Sequence, residues 1–374
     1  MSNKFLDLAV PGVQGLHPYQ PGKPIAELER EYGVSDIVKL ASNENPLGPS
    51  PAVAAALAAS AADLARYPDA NGYELKVALA ARHDLPAECI TLGNGSNDVL
   101  VLLAESFLAP GLEAVYSRYA FAVYALAVQA AGAEHRVADA LPASHPSQPL
   151  GHDLAAMAGL IGPRTRVVFI ANPNNPTGTW LDADGLEHFL SGLPAHVVAV
   201  VDEAYFEYVS EPGYPDTSRW LERFPNLVVT RTFSKAYGLA GLRIGYALSH
   251  PDIADVLNRV RQPFNTSLAA QVGALAALED EEHLERAVLL NNSERERLAA
   301  GHAGLGLETL PSVGNFVLAD MGSAAAPMFE ALLRRGVIVR PVGNYGLPNH
   351  LRISIGTQPE NDRFLAALAE VVAA

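Results

Sequence analysis

At 374 residues, 49% hydrophobic and 18% charged, the chain is long enough for more than one core and lacks the composition of a disordered protein. A formal net charge of −15 argues against a surface built to grip nucleic acid or an anionic membrane. The single cysteine, Cys89, excludes an intramolecular disulfide and a cysteine–zinc cluster.

In chain order, the first forty residues are rich in Pro and Gly and are expected to form an extended N-terminal arm (1–40). No basic start leads into an apolar run there, so no signal peptide is predicted. Ser50-Pro51 has the chemistry of a helix start, with Ser at the N-cap and Pro at the first helical position. The Ala-rich stretch 53–65 that follows is too short to span a bilayer, and the expectation is a soluble, cytoplasmic protein. A second helical pattern covers 73–82.

Gly93-Asn94-Gly95-Ser96 then opens an apolar helix over 99–107. A Gly-rich turn into a helix N-terminus presents free N–H groups to a phosphate, although ordinary turn and cap roles use the same residues. Asp98 stands where a dinucleotide fingerprint needs a third Gly, and no Gly-Lys-Ser/Thr follows, so neither a Rossmann turn nor a P-loop is present.

The middle of the chain alternates helical patterns with short apolar runs: 166–171 (RVVFIA), 196–201 (HVVAVV), 227–230 (LVVT) and 244–248 (IGYAL). Runs of this kind fit strands buried on both faces, which predicts an α/β fold with a mostly parallel central sheet covered by helices. The tail differs. Strands are predicted at 315–319, 337–340 and 351–355, with helices at 325–335 and 361–372, as in a smaller α+β domain. The expected division is a large domain over 41–270 and a small C-terminal domain over 271–374, separated within a long helical region at 265–285.

Four features follow the buried-type runs. Asn172-Pro173-Asn174-Asn175-Pro176-Thr177-Gly178 is a turn by composition. Asp202 ends HVVAVV, at the edge of an α/β sheet where ligands sit, although Asp also caps helices and turns. Lys235 follows LVVTRTF, a placement less typical of a solvated surface lysine. Desolvation or nearby cations there would make its amine nucleophilic. Arg243 lies eight residues further on, between glycines.

Taken together and in this order, Asn175-Pro176-Thr177-Gly178, Asp202-Glu203-Ala204-Tyr205, Ser234-Lys235 and Gly241-Leu242-Arg243-Ile244-Gly245 closely resemble the fold-type I pyridoxal 5′-phosphate (PLP) aminotransferases, over about residues 17–357. That resemblance implies the fold-type I PLP transferase fold and a set of roles. Lys235 carries the cofactor covalently and moves the proton at the substrate α-carbon. Asp202 pairs with the protonated pyridine nitrogen, while Asn175 and Tyr205 hydrogen-bond the ring's 3′ oxygen. Gly95, Ser96, Thr232, Ser234 and Arg243 hold the phosphate. Tyr119 stacks on the ring, with Phe121 and Tyr124 as nearby aromatics that fit a core role.

Within that group the chain most resembles the histidinol-phosphate aminotransferases, through Leu40-Ala41-Ser42-Asn43-Glu44-Asn45-Pro46-Leu47-Gly48, Arg66-Tyr67-Pro68-Asp69, Tyr19-Gln20-Pro21-Gly22 and Leu351-Arg352-Ile353-Ser354-Ile355-Gly356-Thr357. The resemblance implies histidinol phosphate and glutamate/2-oxoglutarate as substrates, in histidine biosynthesis. It also implies a homodimer in which Tyr67 reaches the phosphate in the neighbouring subunit. One pocket must then take a phosphate and a carboxylate, which calls for arginines. Arg352 lies opposite Leu351, Ile353 and Ile355 in a period-2 strand, and Arg340 ends VIVR. Tyr19, Asn43 and Asn315 are further candidates for substrate contact. An aromatic-amino-acid aminotransferase, a PLP-dependent phospho-amino-acid decarboxylase and a catalytically silent relative of the fold remain alternatives.

Overall fold

The computed structural model describes residues 4–18 and 22–373. Among them the strands are β1 Val38–Lys39, β2 Ile90–Gly93, β3 Glu113–Ser117, β4 Glu134–Ala138, β5 Thr165–Ala171, β6 Val198–Asp202, β7 Leu227–Thr232, β8 Gly245–Ser249, β9 Glu308–Thr309, β10 Phe316–Asp320, β11 Val337–Ile338, β12 Arg340–Pro341 and β13 His350–Ser354.

Strands β2 to β8 form one seven-stranded sheet in the order β2-β8-β7-β6-β5-β3-β4. The β7–β6, β6–β5, β5–β3 and β3–β4 pairs are parallel, and β8 runs antiparallel to β7 and β2. The central strands β5, β6 and β7 carry contiguous Val, Ile, Phe and Leu because helices cover both faces. Val168, Ile170, Val201 and Val229 pack into one cluster, and Val167, Phe169, Val200 and Val228 into another on the opposite side. At roughly 1.5–3 kcal/mol per large apolar side chain removed from water, these two layers fix the strand order and hold the strand ends in place.

The second sheet is antiparallel, in the order β12-β13-β10-β9. Helices Glu281–Gly304 and Gln358–Ala373 supply Leu298, Phe364 and Leu368 to its core. The run 337–340, predicted as one strand, is two. Val337–Ile338 pairs in parallel with Val38–Lys39, and after Val339 the chain turns to pair Arg340–Pro341 with β13. Two different partners claim successive dipeptides, so the run is continuous in hydrophobicity but not in pairing.

The N-terminal segment is less extended than its composition suggests. Ile25–Tyr32 is an amphipathic helix whose Leu28 is fully buried against Ala41, Leu333 and Ile338, and Gly33 ends it with φ of 65°. Helix Pro51–Ser60 begins as predicted, with the Ser50 side chain accepting from the Val53 N–H. Helix Leu268–Glu279 contributes Ala270, Ala274 and Ala277 to the core of the seven-stranded sheet, and Asp280 caps the helix that follows. No helix among the described residues is long and apolar enough to cross a membrane.

Candidate active site

The carboxyl ends of β5, β6 and β7 open onto a cleft of about 930 Å³, walled on the far side by the segment 41–43 and by β12 and β13. Lys235 enters it three residues beyond the end of β7. Its Nζ donates to the Ser42 carbonyl at 3.2 Å and lies 5.7 Å from the centre of the Tyr205 ring. Burial, and after it the charge of Arg352, bring the Lys235 ammonium down to about 8.

Asp202 ends β6 and is only 4% exposed. Burial pushes its carboxyl up, against the pull of neutral donors. Thr230, its register partner on β7, donates from Oγ1 to Oδ1 at 2.9 Å, and Tyr124 donates to Oδ2 at 2.9 Å. The Ala204 backbone also donates to Asp202. A buried carboxylate held by neutral donors still favours a cationic N–H facing it from the cleft.

A second corner is built for an anion. Gly95, with φ of 80°, caps helix Ser96–Phe107 without a side chain of its own. A Cβ on Gly95 would sit 2.3 Å from Arg243 Nη2, and one on Gly245 would sit 2.3 Å from the Ser96 N. Only glycine lets the guanidinium and the helix start approach so closely. Arg243 Nη1 donates to Ser234 Oγ at 3.1 Å, and the Ser234 N–H donates to Thr232 Oγ1 at 3.1 Å. Ser96, Asn97, Thr232, Ser234 and Arg243 all line the cleft. A helix N-terminus, two hydroxyls and a guanidinium make a phosphate-type cradle.

The third wall is cationic. Arg340 and Arg352 face each other in register across the antiparallel β12–β13 pair, and both line the cleft. Arg352 is buried, with Nη1 donating to Asn175 Oδ1 at 2.6 Å and Nη2 to the Ala41 carbonyl at 2.7 Å. Asn43, in the left-handed region at φ of 53°, donates from Nδ2 to Tyr205 Oη at 2.9 Å, and its Oδ1 accepts from Ser354 Oγ at 2.9 Å. Burial pushes the Tyr205 hydroxyl up to about 12.

The model of the aminotransferase class I and II family matches residues 35–368, which is most of the chain. The chain belongs to this family. Among curated relatives of this aminotransferase, histidinol-phosphate aminotransferase 2 of Pseudomonas fluorescens is 57% identical over 375 residues, covering 100% of both chains. The Methylococcus capsulatus protein of the same description is 58% identical, covering 98% of each. Among solved structures, histidinol-phosphate aminotransferase from Sinorhizobium meliloti, in complex with pyridoxal-5′-phosphate, is 31% identical, covers 97% of each chain and superposes with a TM-score of 0.88. The expected fold-type I transferase fold is thus that of this aminotransferase.

Most of the residues singled out in the sequence converge on one cleft of the aminotransferase. Asn43, Ser96, Asn175, Asp202, Tyr205, Thr232, Ser234, Lys235, Arg243, Arg340 and Arg352 all line it. Gly95 lies one residue behind, under Arg243. Three others sit elsewhere. Asn315 is buried behind the lining, its Nδ2 donating to the Asn43 carbonyl at 3.0 Å, so it supports Asn43. Tyr119 packs against the cluster of Leu150, Leu310 and Leu347, while Phe121 lines the cleft. Tyr67 is 82% exposed and stacks on Phe264 with ring centres 4.6 Å apart. Tyr19 lies outside the described residues. In the Asn-rich turn, Asn172 and Asn174 shape the loop: Asn172 pairs with the Leu181 backbone, and Asn174 donates to the Tyr119 carbonyl and to Thr177. Asn175 alone faces the cleft among them. Sequence reasoning did not assign Thr230, Ser42 or Ser354 to the site, and it read Tyr124 as a core aromatic. Only register and helix placement bring them there.

Proposed function

We propose that this aminotransferase uses PLP to move the amino group of L-histidinol phosphate to 2-oxoglutarate, giving imidazole acetol phosphate and L-glutamate in histidine biosynthesis. The observation that carries the reading is that the cleft holding the buried Lys235 also holds Arg340 and Arg352 on paired strands. A lysine with a depressed pKa supplies the amine, and two arginines supply sites for a phosphate or a carboxylate. The high identity to relatives named for this activity supports the choice of substrate.

The residues present fit PLP. The glycine-lined cradle of Ser96, Thr232, Ser234 and Arg243 suits the phosphate, and Asp202, buried with only neutral side-chain donors, suits a protonated ring nitrogen. Tyr205 and Asn175 are assigned to the ring's 3′ oxygen, and Tyr119, whose ring packs against Leu150, Leu310 and Leu347 outside the cleft lining, must reorient to cover the ring face. When bound, PLP supplies the electron sink for charge developing at the substrate α-carbon.

This chain's own groups do the rest. Lys235 Nζ, at about 8, is neutral in about half of the molecules at pH 8, against under about 1% at its ordinary value, so it can take and return a proton at the α-carbon. Arg352 is pre-oriented by Asn175 and the Ala41 carbonyl, so an arriving anion meets a fixed guanidinium. Arg340, in register beside it, provides the second cationic contact. Asn43 aims the Tyr205 hydroxyl, and Asn315 secures Asn43 from behind.

Two units divide the work in this reading. The large one carries the seven-stranded sheet and the small one carries the β12-β13-β10-β9 sheet, with the division at Asp280, ten residues beyond position 270, because helix Leu268–Glu279 packs with the large sheet. We assign the protein to the cytoplasm and to a homodimer in which exposed Tyr67 serves the partner's phosphate cradle.

Purified protein supplied with PLP is assayed for glutamate formation from 2-oxoglutarate with L-histidinol phosphate or L-phenylalanine as donor. Turnover at low histidinol phosphate is the expected result. Turnover with phenylalanine alone replaces the reading with an aromatic aminotransferase, and release of carbon dioxide replaces it with a decarboxylase.

A further inference from the structure

We propose that Tyr124 and Thr230 are positioning residues that hold Asp202 ionised and fixed for the cofactor's ring nitrogen. This rests on the PLP reading above. The geometry is a two-point clamp. Each carboxylate oxygen of Asp202 accepts one hydroxyl, Oδ1 from Thr230 and Oδ2 from Tyr124, both at 2.9 Å. With both oxygens held, the carboxylate has no free rotation about its Cβ–Cγ bond.

The clamp itself is immobile. Tyr124 is fully buried on helix Ala122–Ala130. Its ring stacks on Phe169 of β5, with centres 4.8 Å apart and planes 9° apart, and Phe121 meets it edge-on at 5.9 Å. Thr230 is fully buried in β7 and is the parallel register partner of Asp202, so its position is set by backbone pairing. Its β-branched side chain has little rotamer freedom.

The chemistry of the donors matters as much as their placement. An arginine beside Asp202 would also keep it ionised, but it would neutralise the charge and compete with the ring's N–H. Two neutral hydroxyls stabilise the anion and leave its full charge for the cation that binds in the cleft. Neither donor gives up its own proton readily: burial, and then the adjacent Asp202 charge, hold the Tyr124 hydroxyl well above the usual tyrosine range. The clamp therefore donates at any pH at which the enzyme works.

The test measures equilibrium binding of two probes to the full-length protein freed of cofactor: PLP, and a PLP analogue whose ring nitrogen is replaced by C–H. For Tyr124→Phe and Thr230→Val, PLP affinity is expected to fall about tenfold or more while analogue affinity stays within about twofold of the parent. Thr230→Ser, which restores the hydroxyl, should recover most of the loss. The proposal is overturned if both probes weaken together, which marks a general packing role, or if PLP binding does not change. Tyr124→Phe keeps the ring stack, and Thr230→Ser and Thr230→Val form an independent pair should the tyrosine variant fail to fold. Failure of the parent protein to bind PLP would instead remove the cofactor reading itself.

Discussion

Arg352 Nη1 donates to Asn175 Oδ1 at 2.6 Å, joining a strand of the C-terminal sheet to the turn that follows β5. The bond spends the amide oxygen of Asn175, so the Nδ2 end is the one left to face the cleft. It also sets the plane of the guanidinium before any substrate arrives. With Nη2 on the Ala41 carbonyl, Arg352 links three segments far apart in sequence.

Substituting this arginine by lysine removes the fork while keeping the charge. Arg352→Lys is expected to lower kcat/KM for both the amino donor and 2-oxoglutarate by about 100-fold, or about 3 kcal/mol, mostly through KM. Steady-state kinetics with each substrate varied in turn checks this. A loss confined to one substrate would mean that Arg352 serves only one of the two anions.

Lys235 weakens the fold it serves. Its folded-state pKa is about 8 against an ordinary 10.5, so the folded protein binds fewer protons than the unfolded chain between those values. The cost is complete below pH 8 and disappears as the pH rises to about 10.5. Lys235→Met is therefore expected to stabilise the cofactor-free protein by roughly 1–3 kcal/mol at pH 7, with the advantage largely gone at pH 10. Urea unfolding of parent and variant at the two pH values reads the difference directly. A stability gap that does not shrink with pH would contradict the burial argument.

Gly95 is one of two tight points of the anion cradle, with Gly245. An alanine there combines a φ of 80° with a Cβ 2.3 Å from Arg243 Nη2. Gly95→Ala should cost roughly 1–2 kcal/mol of stability and weaken PLP binding at least about tenfold, since Arg243 must move away from the cradle. PLP titration alongside thermal melting separates the two effects.

Tyr67 offers a test of a shared site. It is 82% exposed, so Tyr67→Phe should leave stability unchanged within about 0.5 kcal/mol. If Tyr67 serves the partner's cradle, the variant weakens PLP binding about tenfold. Mixed with Lys235→Ala and allowed to exchange subunits, a Tyr67→Ala protein should regain activity, because a hybrid dimer contains one site with both native residues. No recovery after verified exchange would place Tyr67 outside the catalytic assembly.

The legible part of this protein was the part held by local chemistry. Strands β5, β6 and β7 announced themselves as unbroken apolar runs because both of their faces are covered, and Asp202 and Lys235 stand just past such runs, where an α/β sheet presents its ligand site. Ser50-Pro51 carried its own helix start, and the period-2 pattern of 351–355 placed Arg352 on the face opposite the core. Strands β2, β3 and β4 gave no comparable signal: β2 is four residues long, β3 begins with a buried glutamate, and edge strand β4 opens with three polar residues, Glu134, His135 and Arg136.

What only the tertiary structure decided is which residues meet. Tyr124 reads as a core aromatic on a helix, and 78 positions separate it from the carboxylate it holds. The split of 337–340 between two partners depends on a dipeptide near residue 38 that forms no recognisable strand in isolation. Arg340 and Arg352 became neighbours only through antiparallel register, and Arg352 and Asn175 only through the approach of one sheet to the other's edge. Periodicity and turn chemistry are properties of a few consecutive residues, so a sequence carries them openly. Register, packing and the direction of a hydrogen bond belong to pairs of distant segments, and they exist only once both are buried together.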